Sequence, residues 1–252
     1  MCCFSRPVAS VSATRIFARP GENGRQYLVY SMSIQAGDEL AMILPLPVRL
    51  PARETDVEFI NLKDYPSFFS ELDSGFAQAL AAASTSYSAE GPTRGKALAV
   101  VTVGDFEASF VPSVKDFSRL DERFRLDDDV WKKLPGYGNY GFAVFKLKRG
   151  AMTVHPMAFS FPRRDPQTVF FPTVHIHDGK VHEKAEFDHS IYCQPRPEEH
   201  LSIHDWEESY NHPSGFMQVD KTKGIILPDL HCYKRGMHGL LANRDTFLAV
   251  GT

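Results

Sequence analysis

The sequence predicts an α+β fold dominated by antiparallel β-sheet, with a few short helices on one side. Many segments alternate between apolar and polar residues, a pattern typical of half-buried strands. The pairs Asn23-Gly24 and Asp178-Gly179 each separate two such segments and favour tight hairpins. Nineteen Phe and nine Tyr residues further favour strands and a bulky aromatic core.

The chain is interpreted as one domain spanning 1–252. Its 252 residues and 43% hydrophobic content are sufficient to build a core without disulfides or a structural metal. The segment 84–95 is rich in Ser, Thr, Gly and Pro. We therefore predict a flexible loop or a domain seam at that segment.

Alternation and turn residues also predict the individual elements. The predicted strands are 13–19, 26–34, 40–48, 97–103, 106–111, 141–148, 152–160, 168–177 and 180–193. The predicted helical segments are one that begins near Pro66, an Ala-rich segment 76–83, and the ranges 114–121 and 128–134. After Gln194 the pattern weakens, and a strand or helix is expected at about 239–250. Pro45 and Pro47 end the third strand, and this end is predicted to be a sheet edge because proline cannot donate to a ladder.

Composition narrows the choice of partners. The net charge of −3 is spread along the chain without a basic stripe, which argues against a nucleic-acid partner. No run of 18 apolar residues is present, so no membrane segment is predicted, and the start lacks the apolar core of a signal peptide. The four cysteines are few for the length, which favours reduced thiols and a cytoplasmic location. A small-molecule or peptide ligand fits this profile, and the oligomeric state stays open.

Three histidines flank the Asp178-Gly179 pair. A two-residue turn there would place His175 opposite His182, with His177 on the same face of the hairpin. Directly opposed Cβ atoms lie about 5 Å apart, so the three side chains could share a divalent transition metal such as zinc. The simpler interpretation is a half-exposed polar face on which histidine is tolerated and no cofactor is bound.

A second candidate site lies at the start of the chain, which reads Met1-Cys2-Cys3. Removal of Met1 would leave Cys2 with a free α-amine beside its thiol. An unperturbed α-amine has a pKa of about 7.7–8.0 and can serve as a base near neutral pH. The simpler interpretation is that Cys2 and Cys3 are small apolar residues that begin an edge strand.

This cysteine start, together with Phe17-Ala18-Arg19, resembles the cysteine-type N-terminal-nucleophile hydrolases, such as bile-salt and penicillin V amidohydrolases. In that family a motif of the form aromatic-Gly/Ala-Arg-Asn follows the cysteine strand. The resemblance covers only the start of the chain, and Pro20-Gly21 stands where the family has Asn and an acidic residue. It implies that Cys2 is nucleophile and base, and that Arg19 contacts the substrate or the thiolate.

Residues 14–48 resemble an uncharacterised bacterial family that is known only as a domain of unknown function. Its members also start near a Met-Cys, pass through a short hairpin and reach an apolar strand that ends in Pro-x-Pro, here Pro45-Leu46-Pro47. The resemblance implies a bacterial origin and a shared architecture, and it implies no activity.

Two functions are therefore predicted as alternatives. The first is an amide hydrolase in which Cys2 and Arg19 are the catalytic residues. The second is a non-catalytic binding or structural protein, with or without a metal at His175, His177 and His182. Whether the chain is an enzyme is left open by the sequence.

Overall fold

The structure is a computed structural model that describes residues 2–76, 100–103, 106–126 and 128–249. Its strands are β1 (Cys2–Phe4), β2 (Ser10–Pro20), β3 (Arg25–Ala36), β4 (Leu40–Leu46), β5 (Glu58–Asn61), β6 (Val101–Val103), β7 (Phe106–Val111), β8 (Gly141–Leu147), β9 (Gly150–Thr153), β10 (Met157–Pro162), β11 (Thr168–Phe171), β12 (His175–Ile176), β13 (Lys184–Cys193), β14 (Glu207–Glu208), β15 (Tyr233–Ala242) and β16 (Thr246–Ala249). Its α-helices are α1 (Phe68–Ser74) and α2 (Asp128–Lys132). The predicted loop 84–95, and all but the first residue of the predicted helix 76–83, lie outside the described residues.

Short 3₁₀ helices occupy several connections. They are Glu22–Gly24, Val114–Arg119, Glu122–Phe124, Pro135–Tyr137, Pro197–Glu199, Pro213–Gly215 and Val219–Thr222. In the described part of the chain no helix is both long enough and apolar enough to cross a membrane.

The strands form two large sheets and one small sheet. The six-stranded sheet has the order β12-β1-β4-β8-β7-β6, and the eight-stranded sheet has the order β14-β15-β13-β2-β3-β10-β5, with β9 also paired to β3. Strands β11 and β16 form the two-stranded sheet. The predicted β-rich fold with few short helices is confirmed, but the large sheets are mixed, because β1 with β12 and β2 with β13 run parallel.

The first predicted hairpin is present. β2 and β3 pair antiparallel from Pro20 opposite Gln26 onward, and Asn23 and Gly24 in the turn have φ values of 54° and 71°. Left-handed conformations of this kind are what an Asn-Gly pair tolerates with little strain. The turn is longer than two residues, because Glu22–Gly24 forms one 3₁₀ turn.

The central core lies between the two large sheets. On β4, Leu40, Met42 and Leu44 point into this core together with Ile16 and Tyr30 of the opposite sheet. Aromatic rings join the layers: the Phe145 ring of β8 lies 5.6 Å from Phe59 and 5.9 Å from Phe159, between ring centroids. Trp206, which is 8% exposed, packs on Phe171 in the same core. All seven residues of β4 are buried, because both faces of its sheet are covered.

Each large sheet also carries a second, outer core. Outside the six-stranded sheet, Ala41 and Ile43 pack with Val130 and Leu134 from the helical segments, and the Trp131 ring lies 4.9 Å from the Phe142 ring. Outside the eight-stranded sheet, the second outer core is built from β2, β3, α1 with the residues just before it, and the last third of the chain. Its members include Phe17, Val29, Tyr65, Phe68, Phe69, Leu72, Tyr192, Ile225 and Ile226.

The sheet edge predicted at Pro45 is present on one side of β4 only. β8 pairs with β4 along its whole length, including Pro45 opposite Phe142. On the other side β1 pairs with β4 only at Met42 and Ile43. Pro45 therefore lies beyond the last residue that β1 pairs, where its missing N–H removes no ladder bond.

The predicted hairpin at Asp178-Gly179 is not formed. β12 instead pairs parallel with β1, with His175 opposite Cys2, and β13 pairs with β15 and β2 in the other large sheet. Residues 177–183 therefore link the two sheets. The reason is energetic: a ladder of ten residue pairs between β13 and β15 outweighs the local turn preference of one Asp-Gly pair.

Candidate functional site

The two predicted catalytic residues lie on different sheets. Cys2 opens β1, between β4 and β12 in the six-stranded sheet, and its backbone is opposite His175. Arg19 lies near the end of β2 in the eight-stranded sheet, opposite Tyr27 of β3. The fold does not place them as neighbours on adjacent strands.

Arg19 is a buried structural anchor. Its side chain is 3% exposed, and its guanidinium donates to the backbone oxygens of Pro20 (2.8 Å), Gly224 (2.6 Å) and Ile225. The Tyr27 ring stacks on it, with 4.5 Å between the guanidinium carbon and the ring centroid. Burial lowers the pKa of Arg19 to about 10, which still leaves it charged at neutral pH. Through the Gly224 and Ile225 carbonyls, Arg19 fastens residues 224–225 to the outer face of β2.

The three predicted metal ligands are separated. His175 and His177 lie together, with 4.8 Å between ring centroids. His182 is exposed, and its Nε2 lies 2.9 Å from Oδ2 of Asp178. The Asn243 side chain lies between the two groups, since its Nδ2 donates to the backbone oxygens of His175 (2.9 Å) and His182 (3.0 Å).

A residue that the sequence reasoning missed, His189 of β13, takes the place expected of His182. Its ring lies 4.5 Å from His175 and 5.1 Å from Phe187, between centroids. His189 is 1% exposed and lies between the buried residues Phe187 and Ile191 on one face of β13. That alternation was the available signal, because a histidine on the apolar face of a strand must lie in the core. We call His175, His177 and His189 the histidine cluster.

Burial keeps the histidine cluster neutral at neutral pH. Desolvation, followed by the neighbouring histidines, lowers the pKa of His175 to about 3 and that of His177 to about 4. Desolvation also lowers the pKa of His189, although Asp188, with Oδ1 3.7 Å from its Nδ1, opposes the shift. The Nε2 atoms of all three rings are buried, and none has a hydrogen-bond partner among the described residues.

The histidine cluster does not have the geometry of a metal centre. Among the described residues, no group of three or more His, Cys, Asp or Glu side chains could hold a metal ion. Neutral imidazoles are suitable zinc ligands by chemistry. Here the rings contact one another and Phe187 through ring packing, as core side chains do.

Solved structures with a similar fold exist for this chain. No protein-family model matches the sequence. The crystal structure of baculovirus P35 is similar over 96% of this chain and 97% of P35, with a TM-score of 0.50 and 14% identity. A mutated baculovirus P35 after caspase cleavage is similar over 95% of this chain and 100% of that one, with a TM-score of 0.52 and 13% identity. At this identity the similarity shows a shared fold.

This shared fold corrects the first functional hypothesis. The hypothesis of an amide hydrolase that uses Cys2 was wrong, since the solved structures that share this fold are those of baculovirus P35 and of a mutated P35 after caspase cleavage. The alternative of a non-catalytic binding protein fits the relatives better. The resemblance of residues 14–48 to a bacterial family stays a prediction.

Proposed function

We propose that this chain is a non-catalytic binding protein whose partner is a protease of the caspase class. The observation that carries the proposal is the fold shared with baculovirus P35 over nearly the whole of both chains, including a P35 that a caspase has cleaved. A protein that binds a protease must keep its own fold while the complex lasts.

The described scaffold meets that requirement. Two sheets enclose a central core, and each has an outer core on its other face. A protease needs a locally unfolded, extended stretch of chain, so buried and paired strands resist cutting. The arrangement supports limited cleavage at exposed connections rather than general digestion.

Polar groups at the end of α1 hold this helix firmly to the eight-stranded sheet. Asp73 accepts hydrogen bonds from Tyr192 Oη (2.5 Å) and Lys234 Nζ (2.7 Å), and lies 3.7 Å from the Arg15 guanidinium. The Gly75 backbone oxygen accepts from the Tyr210 N–H at 2.9 Å. These bonds tie the end of α1 to β2, β13 and β15, so that the scaffold up to Phe76 is fixed.

The test is to incubate the purified chain with a panel of active caspases. We expect at least one caspase to lose activity toward a fluorogenic peptide and to form a complex that survives gel filtration. Intact-mass analysis should show one cut rather than many. Absence of inhibition, complex and cleavage across the panel at tenfold molar excess would overturn the proposal.

Two controls make this test specific. Trypsin in place of the caspases measures general susceptibility of exposed connections, and it should not be inhibited. After the caspase cut is mapped, the residue on its amino-terminal side is replaced by Ala, which should remove cleavage without lowering thermal stability. Equal inhibition of trypsin and caspases would indicate nonspecific competition by a substrate.

A further inference from the structure

A small cavity outside the histidine cluster is lined by a buried arginine, Arg163. The cavity has a volume of about 160 Å³ and lies beside β11, between Arg163, Arg164 and Asp165 on one side and aromatic rings on the other. Arg163 follows β10 directly and is 9% exposed. Its position is fixed by the backbone, because its N–H donates to the Gly24 oxygen at 2.9 Å.

The Arg163 guanidinium is only partly satisfied by the protein. Nη1 donates to the Thr168 backbone oxygen at 3.1 Å, whereas the buried Nε has no hydrogen-bond partner among the residues that the structure describes. Within the described part of the chain, Glu199 and Asp165 act on it through space, and no carboxylate there bonds to its guanidinium. A buried guanidinium without a bonded carboxylate is costly, since desolvation of its charge is not offset by pairing.

The other charges of the cavity are already fixed. Arg164 donates from Nε to the Val48 oxygen at 3.3 Å and stacks 4.8 Å from the Tyr140 ring centroid. Asp165 accepts from the Gln167 N–H at 2.9 Å, which holds it in a turn. Two arginines against one aspartate give the lining an excess of one positive charge. An anion is therefore the complementary ligand.

The opposite wall is aromatic. Phe170 contacts Phe247 with 5.1 Å between ring centroids and Tyr140 with 6.4 Å. Phe247 is 47% exposed, which is high for a side chain of its size. A cavity of about 150 Å³ is large enough for one benzene ring, whereas drug-sized ligands need about 300 Å³ or more. Volume therefore limits the ligand to a single ring or its equivalent.

We propose that this cavity binds a small aromatic carboxylate. The carboxylate would pair with the Arg163 guanidinium, which lines the cavity, and the ring would lie against Phe170 and Phe247. Arginine is the residue of choice for such a contact because its planar fork matches a carboxylate. This binding site is independent of the protease proposal, since it draws on none of the same residues.

The experiment uses 4-fluorobenzoate and its neutral isostere 4-fluorobenzamide with the full chain, observed by ¹⁹F NMR titration. We expect saturable binding of the benzoate and binding of the benzamide that is weaker by about tenfold or more, as for the loss of a charge-assisted hydrogen bond. This comparison needs no substitution, so it holds even if a variant fails to fold. No saturation by 4-fluorobenzoate up to its solubility limit, or equal affinity for the two probes, would overturn the proposal.

Substitutions then assign the site. Arg163→Met should lower benzoate affinity by about tenfold or more, and Phe247→Ala should lower it by a smaller factor. Arg53→Met is the matched control, because the Arg53 side chain is 80% exposed and bonds only to its own loop. Unchanged affinity in a folded Arg163→Met, or an equal loss in Arg53→Met, would show that the carboxylate does not bind at this cavity.

Discussion

At the scale of single residues, the buried polar side chains distinguish this fold from a plain apolar sandwich. Arg19 and the histidine cluster both lie in the interior, and the two are satisfied differently. Arg19 is bonded to three backbone oxygens, whereas the cluster is neutral and its Nε2 atoms have no bond within the described part of the chain. A neutral imidazole tolerates this arrangement only while it stays unprotonated. Stability of the fold should therefore depend on pH.

The expected direction follows from the lowered pKa values. A histidine that is harder to protonate in the folded state favours unfolding once the unfolded chain takes up protons, which begins near pH 6.5. The free energy of unfolding should therefore be constant above about pH 7 and fall as the pH drops toward 4. With a folded-state pKa of about 3 for His175, this residue alone should remove about 2 kcal/mol by pH 5.

Urea unfolding at pH 7, 6 and 5 measures this dependence. His175→Phe removes one titrating group while keeping a ring in the core, and should flatten the curve between pH 7 and 5. His182→Phe is the matched control: His182 is exposed and lies outside the histidine cluster, so its replacement should leave in place the pH dependence that the cluster causes. A His175→Phe curve as steep as the original would contradict this account of the cluster.

At the scale of elements, local patterns predicted most strands and failed where distant segments compete. The turn at Asn23-Gly24 and the buried face of α1 at Phe68, Phe69 and Leu72 were predictable, because each is decided by neighbours in sequence. The pair Asp178-Gly179 gives an equally strong local signal, but β12 and β13 join different sheets. Register between distant strands is set by the whole core, which no short window contains. For the same reason His189, rather than His182, is the histidine that lies beside His175 in the structure.

The close approach of Phe216 to the end of α1 can be tested by adding one methyl group. A Cβ added to Gly75, at the end of α1, would overlap the Phe216 ring. Because the Gly75 backbone is right-handed helical, Ala is compatible with its conformation and only the overlap matters. Gly75→Ala should therefore destabilise the chain by about 1–3 kcal/mol.

A double substitution tests the cause of that loss. In a Phe216→Leu background, where the ring is absent, the cost of Gly75→Ala should fall by at least half. Gly37→Ala is the control, since a Cβ there meets no atom within 4 Å. Denaturant midpoints for the four members of the cycle measure the coupling, and additive costs would mean that the ring is not the obstacle.

At the scale of the whole molecule, both large sheets join segments that are far apart in sequence. β1 pairs with β12, and β2 pairs with β13. These pairings also explain why the sheet order was not predictable, since parallel partners leave no turn between them to recognise. The central core is complete only when the first and last parts of the chain are both in place.

This topology predicts slow folding. Chains dominated by non-local strand pairing fold in about milliseconds to seconds, because loop closure must precede the contacts that stabilise it. Refolding by rapid dilution from urea should therefore have its main phase in that range or slower. A main phase completed within about 100 microseconds would contradict the assigned strand order.

The two tryptophans lie in different cores. Trp131 packs on Phe142 in the outer core of the six-stranded sheet, and Trp206 packs on Phe171 in the central core. These are the only two indoles in the chain, so intrinsic fluorescence separates into two reporters. In a Trp131→Phe variant the emission follows the interior between the sheets, and in a Trp206→Phe variant it follows the helical cover. Loosening of one layer before the other thus becomes an optical signal without an added dye.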